Sequence, residues 1–107
     1  MIKRYNKLVR DNIPSIIEKS GAKCKCRILS DAEYLEMLDK KLDEELAEYH
    51  KDQNIEELAD LIEVIRAAAI ARGYTLDELE AVRKKKAEDR GAFEKKIMLI
   101  ETVTSGG

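Results

Sequence analysis

The chain has 107 residues, 44% of them hydrophobic and 39% charged, with one Pro, five Gly and a formal net charge of −2. That length suits one domain with a modest core, and the composition argues for a helix-rich globular protein rather than a disordered segment or a β-sandwich. A slightly acidic chain offers no overall basic field, which disfavours long nucleic acid or an anionic membrane surface as partner.

Met1-Ile2-Lys3-Arg4-Tyr5 lacks the apolar stretch of a signal peptide and no run reaches membrane-spanning length, so a cytoplasmic location is expected. Asp11-Asn12-Ile13-Pro14 reads as a helix start, because Asn caps well and a Pro in the first turn forgoes only a hydrogen bond that would not form. This short helix should end at Gly21. In the following segment Ala22, Cys24, Cys26 and Ile28 alternate with Lys23, Lys25, Arg27 and Leu29, the period of a half-exposed strand. Cys24 and Cys26 form a lone C-x-C with no second pair or nearby His, which points to ordinary reduced thiols.

Ser30-Asp31-Ala32-Glu33 has the form of a capping box and opens a second helix near Asp31. Leu35, Leu38, Leu42, Leu46 and Tyr49 carry it along one stripe to about His50 or Lys51. Lys51-Asp52-Gln53 is a short polar connection, and Asn54 caps a third helix, so the two should form an antiparallel hairpin. The third helix is expected to stop at Gly73. Thr75-Leu76-Asp77-Glu78 opens a fourth, highly charged helix ending before Gly91. The run Ile97-Met98-Leu99-Ile100 could add a small β ribbon by pairing with 23–29, and 104–107 reads as a frayed tail. The expected fold is therefore mainly α, a helical bundle with that ribbon as an optional addition, in a single domain over 1–107.

Each helix of the hairpin carries an acidic pair spaced three residues apart, Glu45 and Glu48 in the second and Glu57 and Asp60 in the third. At about 100° per residue, Glu45 falls inside the Leu38–Leu42–Tyr49 stripe and Glu48 on its shoulder, while Glu44 points away into solvent. On the third helix Leu58, Leu61, Ile62, Ile65 and Ala69 form one face. Val64, Ala67 and Ala71 form a second, shared with Glu57 and Asp60. Carboxylates beside apolar surface need compensation, since burying an unpaired charge costs several kcal/mol. Four carboxylates from two facing helices would suit a hard cation, Mg²⁺ or Mn²⁺, and through it phosphate oxygens. Two plainer roles stay open at this point: Glu57 completing a capping box with Asn54, and Glu48 pairing with Lys51 or Lys41.

Lys7, Arg10 and Asp11 precede the first helix, where they could meet a triphosphate or simply form a solvated cluster with Asp11 as cap. Lys86 and Arg90, four apart before Gly91, could bind phosphate or only stabilise the negative end of their helix. The lone His50 reads as a surface or capping residue. Phe93 suits the core better than a nucleobase, and Tyr5 is the other candidate for stacking. The second apolar face of the third helix favours assembly into a homodimer or homotetramer.

Taken together, Tyr5-Asn6-Lys7-Leu8-Val9-Arg10-Asp11-Asn12-Ile13-Pro14, the E-x-x-E and E-x-x-D pair, and Arg90-Gly91-Ala92-Phe93 resemble the MazG-like, phosphoribosyl-ATP-pyrophosphohydrolase-like group of all-α nucleoside triphosphate pyrophosphohydrolases. The resemblance runs from Tyr5 to about Leu99, with a shorter connection between the acidic motifs than in many members. It implies a helical fold, metal ligation and catalysis by Glu45, Glu48, Glu57 and Asp60, and cleavage of a nucleoside triphosphate to monophosphate and pyrophosphate, an activity associated with clearing non-standard nucleotides. It also adds weight to Lys7, Arg10, Asp11, Lys86 and Arg90 as substrate-binding residues. The alternatives are the related hydrolysis of phosphoribosyl-ATP, or a non-catalytic helical protein that binds metal, nucleotide or a partner chain.

Overall fold

A computed structural model describes residues 1–106 as four helices: α1 (Ile13–Lys19), α2 (Asp31–Asp52), α3 (Ile55–Ala71) and α4 (Leu76–Arg90). The protein is mainly α. Two compact units divide the chain, Met1–Leu76 and the residues from Asp77 onward.

In the first unit α2 begins as its capping box dictates: the Ser30 hydroxyl accepts from the Glu33 N–H at 3.2 Å, and the Glu33 carboxylate accepts from the Ser30 N–H at 3.3 Å. Arg27 adds a 2.7 Å ion pair to the same carboxylate. This hydrogen bond and the capping bonds hold the Glu33 carboxyl at about 2, well below the ordinary Glu range. At the other end α2 runs one turn position past the expected stop and takes in Asp52. Gln53 closes it in a left-handed conformation (φ 50°), its N–H donating to the Tyr49 carbonyl at 2.7 Å. The connection thus shrinks to Gln53 and Asn54. Asn54 caps α3 by accepting from the Glu57 N–H at 2.9 Å.

With a two-residue connection, α2 and α3 pack as an antiparallel hairpin. Arg72, just past α3, reaches Asp39 of α2 at 3.7 Å and ties the open end. Gly73 (φ 92°) ends α3 where expected. The Tyr74 N–H donates back to the Ala69 carbonyl at 3.0 Å, a bond that needs the positive φ of the glycine before it.

Helix α1 keeps its predicted place, with Pro14 in the first turn and Gly21 (φ 95°) just beyond, but the Asn12 side chain makes no capping bond. Asn12 itself sits in the helical region of backbone space, which turns its side chain from the N–H groups it would cap. Neither 23–29 nor 97–100 forms a strand among the described residues. Period-two alternation suits a strand only where a neighbouring backbone completes the ladder. Instead the 23–29 segment is fastened by side chains, through Arg27 to Glu33 and by the Cys24 thiol 3.8 Å from the Pro14 carbonyl. Residues 104–106 are exposed and without regular structure, and Gly107 lies outside the described residues.

Burial revises the reading of α3. Leu61, Val64, Ala67, Ala68 and Ala71 are half-buried together with Glu57 and Asp60, whereas Leu58, Ile62 and Ile65 are exposed, Ile62 by 55%. Tyr34 of α2 lies beside Ala67 and Ala71 in a shallow cleft. The small-residue face assigned to an outside partner is therefore covered by α2 of the same chain, because small side chains let the nearest helix come close. The uncovered apolar stripe is Leu58–Ile62–Ile65. Leu38 alone is buried among the described residues, at 3% exposure.

The second unit holds nearly all of α4, which is highly charged, with Leu79 and Ala87 half-buried, and is laced by ion pairs such as Glu80–Arg83 and Lys85–Asp89. Gly91 (φ 84°) ends it, its N–H donating to the Ala87 carbonyl at 2.8 Å. Phe93, expected in a core, is 99% exposed. It follows the helix in an irregular stretch that supplies no apolar layer to receive it.

Candidate functional site

The turn end of the α2–α3 hairpin gathers the carboxylates. One oxygen from each of Glu45, Glu57 and Asp60 lies within 4.8 Å of the others, and Glu48, Asp52 and Glu57 form a second such group. Glu57 belongs to both. The four predicted ligands are thus present at one end of the hairpin, but as two overlapping triads rather than one set of four. Asp52 joins them as a fifth acid. Its signal was the four-residue step from Glu48, hidden by reading Asp52 as connection rather than as the last residue of α2.

The two plainer roles left open for these acids are not the ones the structure adopts. Asn54 caps the Glu57 N–H, yet no bond returns from the Glu57 side chain to the Asn54 N–H, so the capping box is one-sided. Lys41 pairs with Glu44 and Glu45, at 3.2 and 3.3 Å, rather than with Glu48. Glu48, Asp52 and Glu57 have no cationic partner among the described residues. The carboxyl of Glu57 is raised above its ordinary range, first by desolvation and then by the negative charges of Asp52, Asp60, Glu48 and Glu45.

Glu45 is well enclosed, its side chain 12% exposed beside Lys41 at 16%. Glu44, expected to be solvated, is two-thirds covered and bridges Lys7 and Lys41, both at 3.2 Å. Helix phase does point it away from α3. The N-terminal segment, however, lies along that flank of α2, which phase alone does not reveal. Burial pushes the Glu44 carboxyl up, but the hydrogen bonds from Lys7 and Lys41 outweigh it and leave it below the ordinary range.

The same N-terminal segment brings Arg10 to the acids, with Nη2 2.6 Å from Oδ1 of Asp60. Arg10 therefore stands beside the cluster, while Lys7 is held by Glu44, outside it. Asp11 is exposed in the turn before α1 and its side chain has no ion-pair partner among the described residues. Lys86 and Arg90 are exposed on α4, in the second unit, and are not members of the cluster within the first. Tyr5 carries Lys3 and Lys7 over its ring, at 5.1 and 5.8 Å, and His50 is exposed next to Tyr49.

No protein-family model and no solved structure matches the chain. A stretch of 41 residues, 38% of the chain, is 58% identical to a protein of Mycolicibacterium smegmatis described as uncharacterized. The match spans 42% of that relative's own length, so well under half of it is shared.

The donor set suits a hard divalent cation, since every ligand atom is a carboxylate oxygen. The oxygens of each group lie within 4.8 Å of one another, the scale of the roughly 4.2 Å between opposite ligands of an ion with bonds of about 2.1 Å. The shallow cleft of about 280 Å³ near Tyr34, Ala67, Ile70 and Ala71 is at the other end of the hairpin and holds none of the predicted ligands. No helix among the described residues is long and apolar enough to cross a membrane. Cys24 and Cys26 are free thiols with sulfurs 4.0 Å apart.

Proposed function

We propose that this chain is a divalent-cation-dependent nucleoside triphosphate pyrophosphohydrolase, cleaving between the α- and β-phosphates to release a nucleoside monophosphate and pyrophosphate. The observation that carries the reading is the convergence of Glu45, Glu57 and Asp60 on one hairpin, with Arg10 of the N-terminal segment on Asp60 and Lys7 on the neighbouring Glu44. Three of the five neighbouring acids lack a cationic partner, a charge excess that a bound cation would relieve. The order of motifs shared with MazG-like enzymes supports the same conclusion.

In this reading Glu45, Glu57 and Asp60 hold Mg²⁺ or Mn²⁺, and Glu48, with Asp52 beside it, completes the ligand set or accepts the proton of the attacking water. The cation when bound supplies charge neutralisation at the phosphates and a water of lowered pKa. Lys7 and Arg10 bind the phosphate chain, with Arg10 able to offer two parallel N–H groups to it. Asp11 borders that segment, and the phosphate role of Lys86 and Arg90, in the second unit, rests on the resemblance alone. A pyrophosphate-release assay over a panel of nucleoside triphosphates and phosphoribosyl-ATP, with and without Mg²⁺, tests the proposal. Release from at least one triphosphate only when Mg²⁺ is present is expected. Binding without release from any of them would reassign the chain as a non-catalytic binding protein.

Assembly into a homodimer or homotetramer belongs to the same proposal, now through Leu58, Ile62 and Ile65. With Leu38 alone buried among the described residues, the protein gains from covering that stripe with a second copy, since apolar burial yields about 25 cal/mol per Å². Ile62→Glu is expected to lower the mass seen by light scattering to that of one chain. An unchanged mass would remove the stripe as an interface.

A further inference from the structure

Arg10 occupies a position in which it competes with the proposed cation. Its guanidinium lies 2.6 Å from Oδ1 of Asp60, and Asp60 is one of the three carboxylates that would hold the cation. Arg10 takes up Oδ1 of Asp60, so a divalent cation drawing on the same oxygen has to compete with the guanidinium for it. We propose that Arg10 is a built-in counter-ion that divalent cation displaces from Asp60, and that its release makes it available to the phosphates of the nucleotide. The inference rests on the cation-site reading above.

The surroundings of Arg10 suit such an exchange. Its carbonyl accepts from the Ile13 N–H at 3.1 Å, which fixes its backbone at the entrance to α1. Three residues earlier, Lys7 is held by Glu44 at 3.2 Å. The segment is tied at both points while the guanidinium, more than half exposed, is held to Asp60 through one ion pair. Once freed, the side chain stays tethered within reach of the carboxylates. A planar cation with paired N–H donors is then left beside a site that brings phosphate oxygens to its metal.

Metal and nucleotide should therefore bind with positive coupling, each removing part of the cost the other would meet alone. Exposed ion pairs contribute at most about 1 kcal/mol, so loss of the Arg10–Asp60 pair should tighten cation binding by about two- to fivefold. Lys7 supplies the charge-matched control, because its partner Glu44 lies outside the Glu45–Glu57–Asp60 group.

The test titrates Mn²⁺ into the full chain without nucleotide, following free Mn²⁺ by electron paramagnetic resonance, for the unaltered protein, Arg10→Ala, Arg10→Lys and Lys7→Ala. It then measures affinity for an α,β-methylene triphosphate analogue with and without Mn²⁺. Expected are tighter Mn²⁺ binding by Arg10→Ala, a near-unaltered value for Arg10→Lys and a smaller change for Lys7→Ala. Mn²⁺ should strengthen analogue binding in the unaltered protein and much less in Arg10→Ala. Equal Mn²⁺ affinity in Arg10→Ala and the unaltered protein, or an equal gain in Lys7→Ala, would overturn the exchange while leaving the cation site standing. Absence of Mn²⁺ binding by the unaltered protein would remove the cation site and the exchange together.

Discussion

Replacing Glu57 with Gln is expected to stop turnover and, in the same protein, to stabilise the metal-free fold. Glu57 is shared by both carboxylate triads, so its loss removes a ligand atom from each, and pyrophosphate release should fall at least about a hundredfold. The stability effect has the opposite sign because ionised Glu57 sits among four other acids with no cation of its own. A carboxyl raised above its unfolded value contributes most below that value, and the contribution is lost as pH rises through the folded one. Urea midpoints measured in chelator should therefore favour Glu57→Gln above the titration of Glu57 and converge with the unaltered protein at more acidic pH. Lower stability of the variant at neutral pH would show that Glu57 has a partner in solution that offsets the repulsion.

Chelation of divalent cation should reduce pyrophosphate release to background, and added Mg²⁺ or Mn²⁺ should restore it. The pH dependence follows from the same carboxyl. Ligands must lose their protons to bind a cation, and Glu57 holds its proton above the ordinary carboxylate range, so the Mg²⁺ concentration for half-maximal rate should climb as pH falls, starting above that range. Full activity in chelator would sink the mechanism. Within the helix, Glu45→Gln should cost far more than Glu44→Gln. The latter frees Lys7, so its smaller effect should fall on KM rather than kcat.

Much of this arrangement was written in local pattern. The Ser30–Glu33 box, the Asn54 cap and Gly73 mark the bounds of α2 and α3 because capping is decided within a few residues, and the step of three between acids puts Glu45, Glu48, Glu57 and Asp60 on inward or shoulder positions. What pattern missed depends on segments distant in the chain. Glu44 looked solvated until Lys7, 37 positions earlier, was found across it. Val64, Ala67 and Ala71 read as a face for a foreign helix, though α2 covers them, while Leu58 and Ile62 on the other apolar face are open. A helix apolar on two sides does not reveal which side its hairpin partner chooses. The alternation at 23–29 failed for a related reason, since a strand requires a neighbour that residue periodicity cannot supply.

The two-residue turn at Gln53 and Asn54 has a kinetic consequence. Every proposed cation ligand lies between Glu45 and Asp60, so the site is enclosed by one very short loop. Closing such a loop costs little chain entropy, and contacts of low sequence separation form early in folding. The like charges are consequently forced together while most of the polypeptide is still disordered, and their repulsion opposes the barrier crossing itself. A cation captured by the nascent hairpin would act at that stage, speeding the folding of the chain as well as holding the finished structure.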